Sequence, residues 1–387
     1  MAALRRIFGF DAANPENSAK LFAQNGFSAV VGGKNDDAAE IFRAAGLDYY
    51  IGCGCFSLPP DPDPSLLCTD CTGRATAWFG SGCPNEPQLR QNSLQLAAEL
   101  AASKNICGVI LDAARFASPG GEGGRDPFFT CFCPRCMEKM ERLGFDARKI
   151  RSAVRALRTH LRTGAGYRET EHRPALEDWL RFRRVCVTGH LADFTAVLRE
   201  KAPALRLGIY CFSPSLAPLV GQSYPDIARY FDFASPMLYR YYAPEIGVAC
   251  PDHEWAAILS WLEQLPEQSA APVRELLTEL TGQQPGELGT ARELRENGCP
   301  VQWIAEEACR ARAELGSCAL EPILALGDPC FLDCARAVEP FAQTIDCFAY
   351  DAENFSRCFC REKADVYRND GETQGKFEKG RISSERF

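Results

Sequence analysis

Eight times along this chain a short apolar run rich in branched or aromatic residues recurs, and most of these runs lead into a segment of helical spacing with charges on its outer face. The runs are RIFGF (6–10), FSAVVGG (27–33), DYYIGCGCF (48–56), GVILD (108–112), LRLGIYCF (205–212), FDFASPMLY (231–239), EPILALG (321–327) and TIDCFAY (344–350). Connecting segments such as NPENSAKLFAQNG and NDDAAEIFRAAG open on Asn, Asp or Pro and close on Gly, as helix ends prefer. Eight such units in 387 residues predict a (β/α)8 TIM barrel, an α/β fold with its parallel strands inside, over residues 1–360. An open doubly wound sheet is the alternative, but GFDAANPEN after the first run is no glycine-rich phosphate loop.

In such a barrel the chemistry lies where strands end, so the loops there matter most. The long ones are 57–86, 113–172 and 240 to about 253, and 143–164 reads as an extra rim helix. Residues 252–318 hold more helical material than one crossover needs, and the polar stretch from 361 reads as a flexible tail.

Composition narrows the function classes. A net charge of -8, with no long block of Lys and Arg, argues against nucleic acid as a partner. No stretch reaches the roughly 18 apolar residues of a membrane span, and the start lacks a signal-peptide core, so we expect a soluble, cytoplasmic protein. Twenty cysteines in such a chain are expected to be reduced thiols or metal ligands rather than disulfides.

Three of those cysteines crowd into TCFCPRC (130–136). Cys131, Cys133 and Cys136 have the close spacing with which one turn supplies several ligands of a structural metal, and the fourth must come from the loop after the third run, which offers Cys68, Cys71 and Cys83. Cys107 precedes the fourth run and belongs to the opposite end of the barrel. An iron-sulfur cluster fits this spacing poorly.

GSGCPNEPQLR (80–90), followed by the fourth run and then CFCPRC, resembles the family-42 β-galactosidases, glycoside hydrolases with a CPN segment and a later C-x-C-x-x-C. The resemblance implies a structural zinc held by Cys83, Cys131, Cys133 and Cys136. It also exposes a departure: that family's acid/base glutamate falls on Ala114 here, and the seventh run, LALGDP, ends without the nucleophile glutamate. GVILDAARF with FDFASPMLYRY resembles a second group, glycoside-hydrolase-like barrels with G-[IV]-x-x-D-x-x-R-[FY] and S-P-M-x-Y signatures. That likeness implies a catalytic or sugar-binding role for Asp112, with Arg115 beside it.

Glycoside cleavage needs two carboxyl groups flanking the scissile bond. We expect Asp112 and Asp351 to be that pair, with Glu353 or Asp328 as other choices for the partner; Asp328 before Pro329 also suits a helix cap. Arg115, Asp11, Asp328 and Glu353 are expected around the carbohydrate substrate, with Trp78, Tyr210, Tyr239, Tyr241 and Tyr242 as aromatic platforms. The four histidines are too scattered for a metal triad, and His190 is expected to face the core or solvent. The leading expectation is a glycosidase (O-glycosyl hydrolase). Its rivals are a noncatalytic carbohydrate-binding barrel, kept open by Ala114, and a metal-dependent redox enzyme.

Overall fold

The computed structural model describes residues 3–121, 125–240 and 250–359; Tyr241, Tyr242 and the polar tail from 361 lie outside the described residues. The strands fall where the apolar runs predicted them: Leu4–Phe8, Ala29–Gly32, Asp48–Gly54, Gly108–Asp112, Arg206–Cys211, Phe233–Pro236, the interrupted pair Ala319–Leu320 and Ile323–Ala325, and Thr344–Phe348. All pair in parallel in one curled sheet of nine strands. Its two terminal strands are consecutive pieces of chain, separated only by Glu321 and Pro322. The first piece pairs with Phe233 and Ala234, the second with Asp346 to Phe348, and Ile323 also bridges Met237. Proline has no N–H for a ladder, which accounts for the interruption.

The helices start as their sequences dictate. Asn14 and Asn35 accept the backbone N–H groups of Asn17 and Ala38, capping Pro15–Gln24 and Asp36–Ala44. The 113–172 segment holds Pro134–Arg142 and Ala147–Thr163, the second of which is the helix read from 143–164. From residue 251 on, Pro251–Glu263, Glu267–Thr281, Ala291–Asn297 and Val301–Leu315 supply the surplus of helix expected there. No described helix is long and apolar enough to cross a membrane.

Inside the sheet the packing is not purely apolar. Arg6 is buried to 1 % exposure and bonds both oxygens of Asp346, one of Glu321 (2.7 Å) and the Ser235 hydroxyl (3.4 Å). Its guanidinium also lies over the rings of Tyr50 and Phe233, at 5.0 and 4.6 Å. Gly208 makes room for this: a Cβ there would sit 2.1 Å from the Phe233 ring, which is fully buried. Gly208→Ala should therefore displace that ring and lower stability by about 1–3 kcal/mol, read as a shift in the urea midpoint. An unchanged midpoint would mean the ring has slack that the packing does not suggest.

Candidate active site and metal centre

Cys133 begins the helix Pro134–Arg142 with Pro134 in its first turn, which places Cys136 one turn further on and beside Cys133. The loop carrying Cys83 is drawn against this segment by backbone bonds from Phe132 to Thr69 O (2.7 Å) and from Cys71 to Phe129 O (3.0 Å), and within that loop Cys83 donates to Leu66 O (2.9 Å). The four sulfurs of Cys83, Cys131, Cys133 and Cys136 consequently lie within 4.8 Å of one another, all buried. A tetrahedral ion with bonds of about 2.3 Å to sulfur needs sulfur-to-sulfur edges of about 3.8 Å. The Cys83 sulfur is 3.7 Å from that of Cys133 and 3.5 Å from that of Cys136, so the donor set fits a thiolate-bound metal.

The surroundings fit as well. Backbone N–H groups of Thr69 and Asn85 point at the Cys131 and Cys83 sulfurs at 3.3 and 3.4 Å, and the Asn85 side chain donates to Cys136 at 3.3 Å. Lys139 holds the Asn85 carbonyl at 2.7 Å. Arg183 is fully buried, stacks on Trp179 at 4.0 Å and bonds the carbonyls of Phe128, Thr130 and Leu219, Thr130 being the residue before Cys131. A divalent ion on four thiolates carries a net double negative charge, and Arg183 and Lys139 are cations suited to balance it. Cys68 is buried beside the cluster without belonging to the four mutually close sulfurs, and Cys107 donates instead to Asp48 at 2.9 Å.

The second feature is the end of the Gly108–Asp112 strand. Ala113 takes a left-handed φ of 55°, a conformation that costs a non-glycine residue about 1–2 kcal/mol. This turn lets Ala113 N donate to Asp112 Oδ1 at 2.6 Å and Arg115 N donate to Ala113 O at 2.9 Å. Burial raises the pKa of the Asp112 carboxyl, against the smaller opposing pull of the Ala113 N–H and the Arg115 charge. The Arg115 guanidinium lies between Trp78 (4.4 Å) and Phe212 (4.8 Å) and donates to Phe116 O at 3.0 Å. Tyr239 stacks on Phe348 at 5.3 Å, and Tyr210 packs edge-on to Phe8 at 6.1 Å. Among the described residues, the buried Trp78 Nε1 and Tyr210 hydroxyl have no hydrogen-bond partner.

A third acid, which the sequence reading missed, stands behind Arg115. Glu254, in the helix Pro251–Glu263, is fully buried and accepts from Ser118 Oγ (2.7 Å) and Gly120 N (2.6 Å). It occupies the same helical face as Ile258 and Leu262, so its signal was a charge at an otherwise apolar periodic position. Burial pushes its carboxyl up to about 7, against the pull of Ser118, Gly120 and Arg115. Between its ordinary 4.5 and about 7 the native chain holds a proton that the unfolded chain has released, so this contribution to stability falls as pH rises through that window. At about 1.4 kcal/mol per unit, wild-type unfolding free energy should drop by about 3 kcal/mol relative to Glu254→Gln from about pH 4 to about pH 8. Urea titrations of both chains across that range test it; a constant difference would sink it.

Asp351 is exposed, and its carboxylate accepts Asn354 N at 2.9 Å, capping the helix Ala352–Phe359, on which Glu353 is also exposed. Asp11 is exposed and accepts Ala13 N at 3.0 Å. Asp328 is buried, pairs with Arg240 at 3.1 Å and accepts Cys330 N at 2.8 Å in a turn just before the helix Phe331–Val338, whose cap position is Cys330 rather than Asp328. His190 is buried against Ser93 and the Phe56 ring, with burial pushing its pKa down to about 3.

Two concavities lie on the helical layer: an apolar cavity bordered by Phe128, Trp179 and Trp261, and a groove bordered by Arg181, Arg184 and Arg310. Neither includes Asp112, so burial and charge rather than concavity single out the strand end.

No protein-family model matches the chain, and no curated protein matches it. Solved structures do. The β-galactosidase from Rahnella sp. R3 is 11% identical with a TM-score of 0.46, over 90% of this chain and 50% of that one. The β-galactosidase from the psychrophilic Marinomonas ef1 is 15% identical with a TM-score of 0.43, over 67% of this chain and 46% of that one. A catalytic mutant of a GH42 β-galactosidase from G. stearothermophilus is 12% identical with a TM-score of 0.43, over 68% of this chain and 43% of that one. The alignments thus span half or less of the length of these proteins.

Proposed function

We propose that residues 1–360 form one (β/α)8 barrel whose strand ends bind and cleave glycosides, in a soluble, cytoplasmic protein with a structural zinc on its rim. Barrel closure is supported by the split strand 319–325, which bonds to Phe233–Pro236 on one side and to Thr344–Phe348 on the other. The observation that carries the function is the desolvated Asp112 carboxyl at the end of the Gly108–Asp112 strand, flanked by Arg115 and buried aromatic rings. A carboxyl whose pKa burial raises suits the donation of a proton to a glycosidic oxygen. Glu254 is assigned as the second acid of this end in preference to Asp351, whose carboxylate is solvated and caps a helix. Because both Glu254 oxygens are held by Ser118 and Gly120, it acts as a positioning residue for the strand-end loop.

Four protein thiolates leave no open coordination position, so the zinc at Cys83, Cys131, Cys133 and Cys136 clasps two rim loops and does no chemistry. A noncatalytic carbohydrate-binding barrel is the second reading, favoured by Ala114, a fully buried alanine where the family-42 resemblance puts the acid/base glutamate. A panel of nitrophenyl glycosides decides. On the cleaved substrate, Asp112→Asn should lower turnover about a hundredfold. Unchanged turnover would remove Asp112 from the chemistry; sugar binding with silence across the panel would favour the binder.

A further inference from the structure

From the pair Arg115 and Trp78 we infer that the sugar taken at this strand end is anionic, with a carboxylate or an equivalent acidic group that accepts from the Arg115 guanidinium and the Trp78 indole N–H. This deepens the carbohydrate reading above and rests on it.

Arg115 is 4 % exposed, and among the described residues its guanidinium donates a single hydrogen bond, to Phe116 O. A guanidinium carries five N–H donors, so most of its capacity is unused. No carboxylate among the described residues forms an ion pair with it. The two nearby acids are engaged elsewhere: Glu254 with both oxygens on Ser118 and Gly120, and Asp112 with Oδ1 on Ala113 N. A cation this deeply buried without a paired charge is costly unless something supplies the charge. The Trp78 and Phe212 rings offset part of that cost, but they accept no N–H···O hydrogen bond from the guanidinium.

The second observation is independent of the charge. Trp78, 2 % exposed, has an indole N–H with no acceptor among the described residues, and its ring is the one Arg115 lies over at 4.4 Å. Arg115 and Trp78 are thus in contact, and both carry N–H donors without an acceptor among the described residues. A neutral sugar hydroxyl can accept from these donors but supplies no charge. A carboxylate accepts two parallel N–H bonds from a guanidinium and supplies the missing charge as well. The requirement is therefore for an anion, and the aromatic surroundings suit the sugar ring that bears it.

The test uses the full-length purified protein and calorimetric titration with glucuronate, galacturonate, glucose, galactose and plain acetate. At least one uronate should bind about tenfold or more tighter than its neutral counterpart, with the preference shrinking as salt is raised. Arg115→Met should bring that ratio close to one, and Arg115→Lys should retain part of it. Neutral sugars binding as tightly as uronates in the wild type would overturn the inference and leave the carbohydrate reading intact, a result that does not depend on the variants folding. Binding of acetate as tight as that of the uronates, with no binding of neutral sugars, would keep an anion site and overturn the sugar part of both. Absence of any binding would overturn both.

Discussion

Replacing Cys133 with serine should strip the metal from the purified chain and lower its stability by several kcal/mol, enough to unfold the rim at temperatures the wild type tolerates. The size follows from two opposing terms. Ordering the loops around Cys83 and Cys131–Cys136 costs about 1–2 kcal/mol per residue, whereas a structural zinc returns roughly 10–16 kcal/mol. Whole domains are stable by only about 5–15 kcal/mol, so loss of the ion is not absorbed locally. Elemental analysis of the wild type should find about one zinc per chain, without the visible absorbance of iron, and a strong chelator should reproduce the Cys133→Ser phenotype. Cys68→Ser is the internal control, since its sulfur lies beside the cluster but outside the four; it should keep the metal. A wild-type protein that carries no metal, or whose melting temperature ignores the chelator, would refute the clasp.

Arg6→Met should cost about 3–5 kcal/mol, because it strands Asp346 in the sheet interior at 0 % exposure and leaves the buried Glu321 with Arg206 alone, at 3.0 Å. Burial already pushes the Asp346 carboxyl up to about 6 despite the bidentate bond from Arg6. Without that partner the acid protonates more readily, so the variant should be least impaired at low pH and worst at neutral pH. Adding Asp346→Leu should recover part of the loss, as replacement of a buried charge by an apolar group commonly does. Urea midpoints of the single and double variants at about pH 5 and about pH 8 check both statements. A single variant with wild-type stability at both values would show that the network contributes nothing.

Much of the scaffold was legible in the chain. Runs such as GVILD (108–112) and TIDCF (344–348) are continuous and apolar because a covered parallel strand is buried on both faces, and the strands fall on them. The helix caps at Asn14 and Asn35 were legible for the same local reason. So was the grouping of Cys131, Cys133 and Cys136, since ligand spacing is itself a local signature, whereas Cys83, 50 positions from Cys133, was singled out from Cys68 and Cys71 by the family-42 resemblance alone.

The acids divide along a different line. Asp351 and Asp112 both follow an apolar run, yet the first is in water capping a helix and the second is desolvated. Glu254 reaches Ser118 across 136 positions of sequence, and Arg6 reaches Asp346 across 340. By itself the sequence determined periodicity, caps and thiol spacing, because these depend on neighbours a few residues away. Only the tertiary structure decided which charges are buried and what faces them, because desolvation is a property of everything the folded chain packs around a group, most of it remote in sequence.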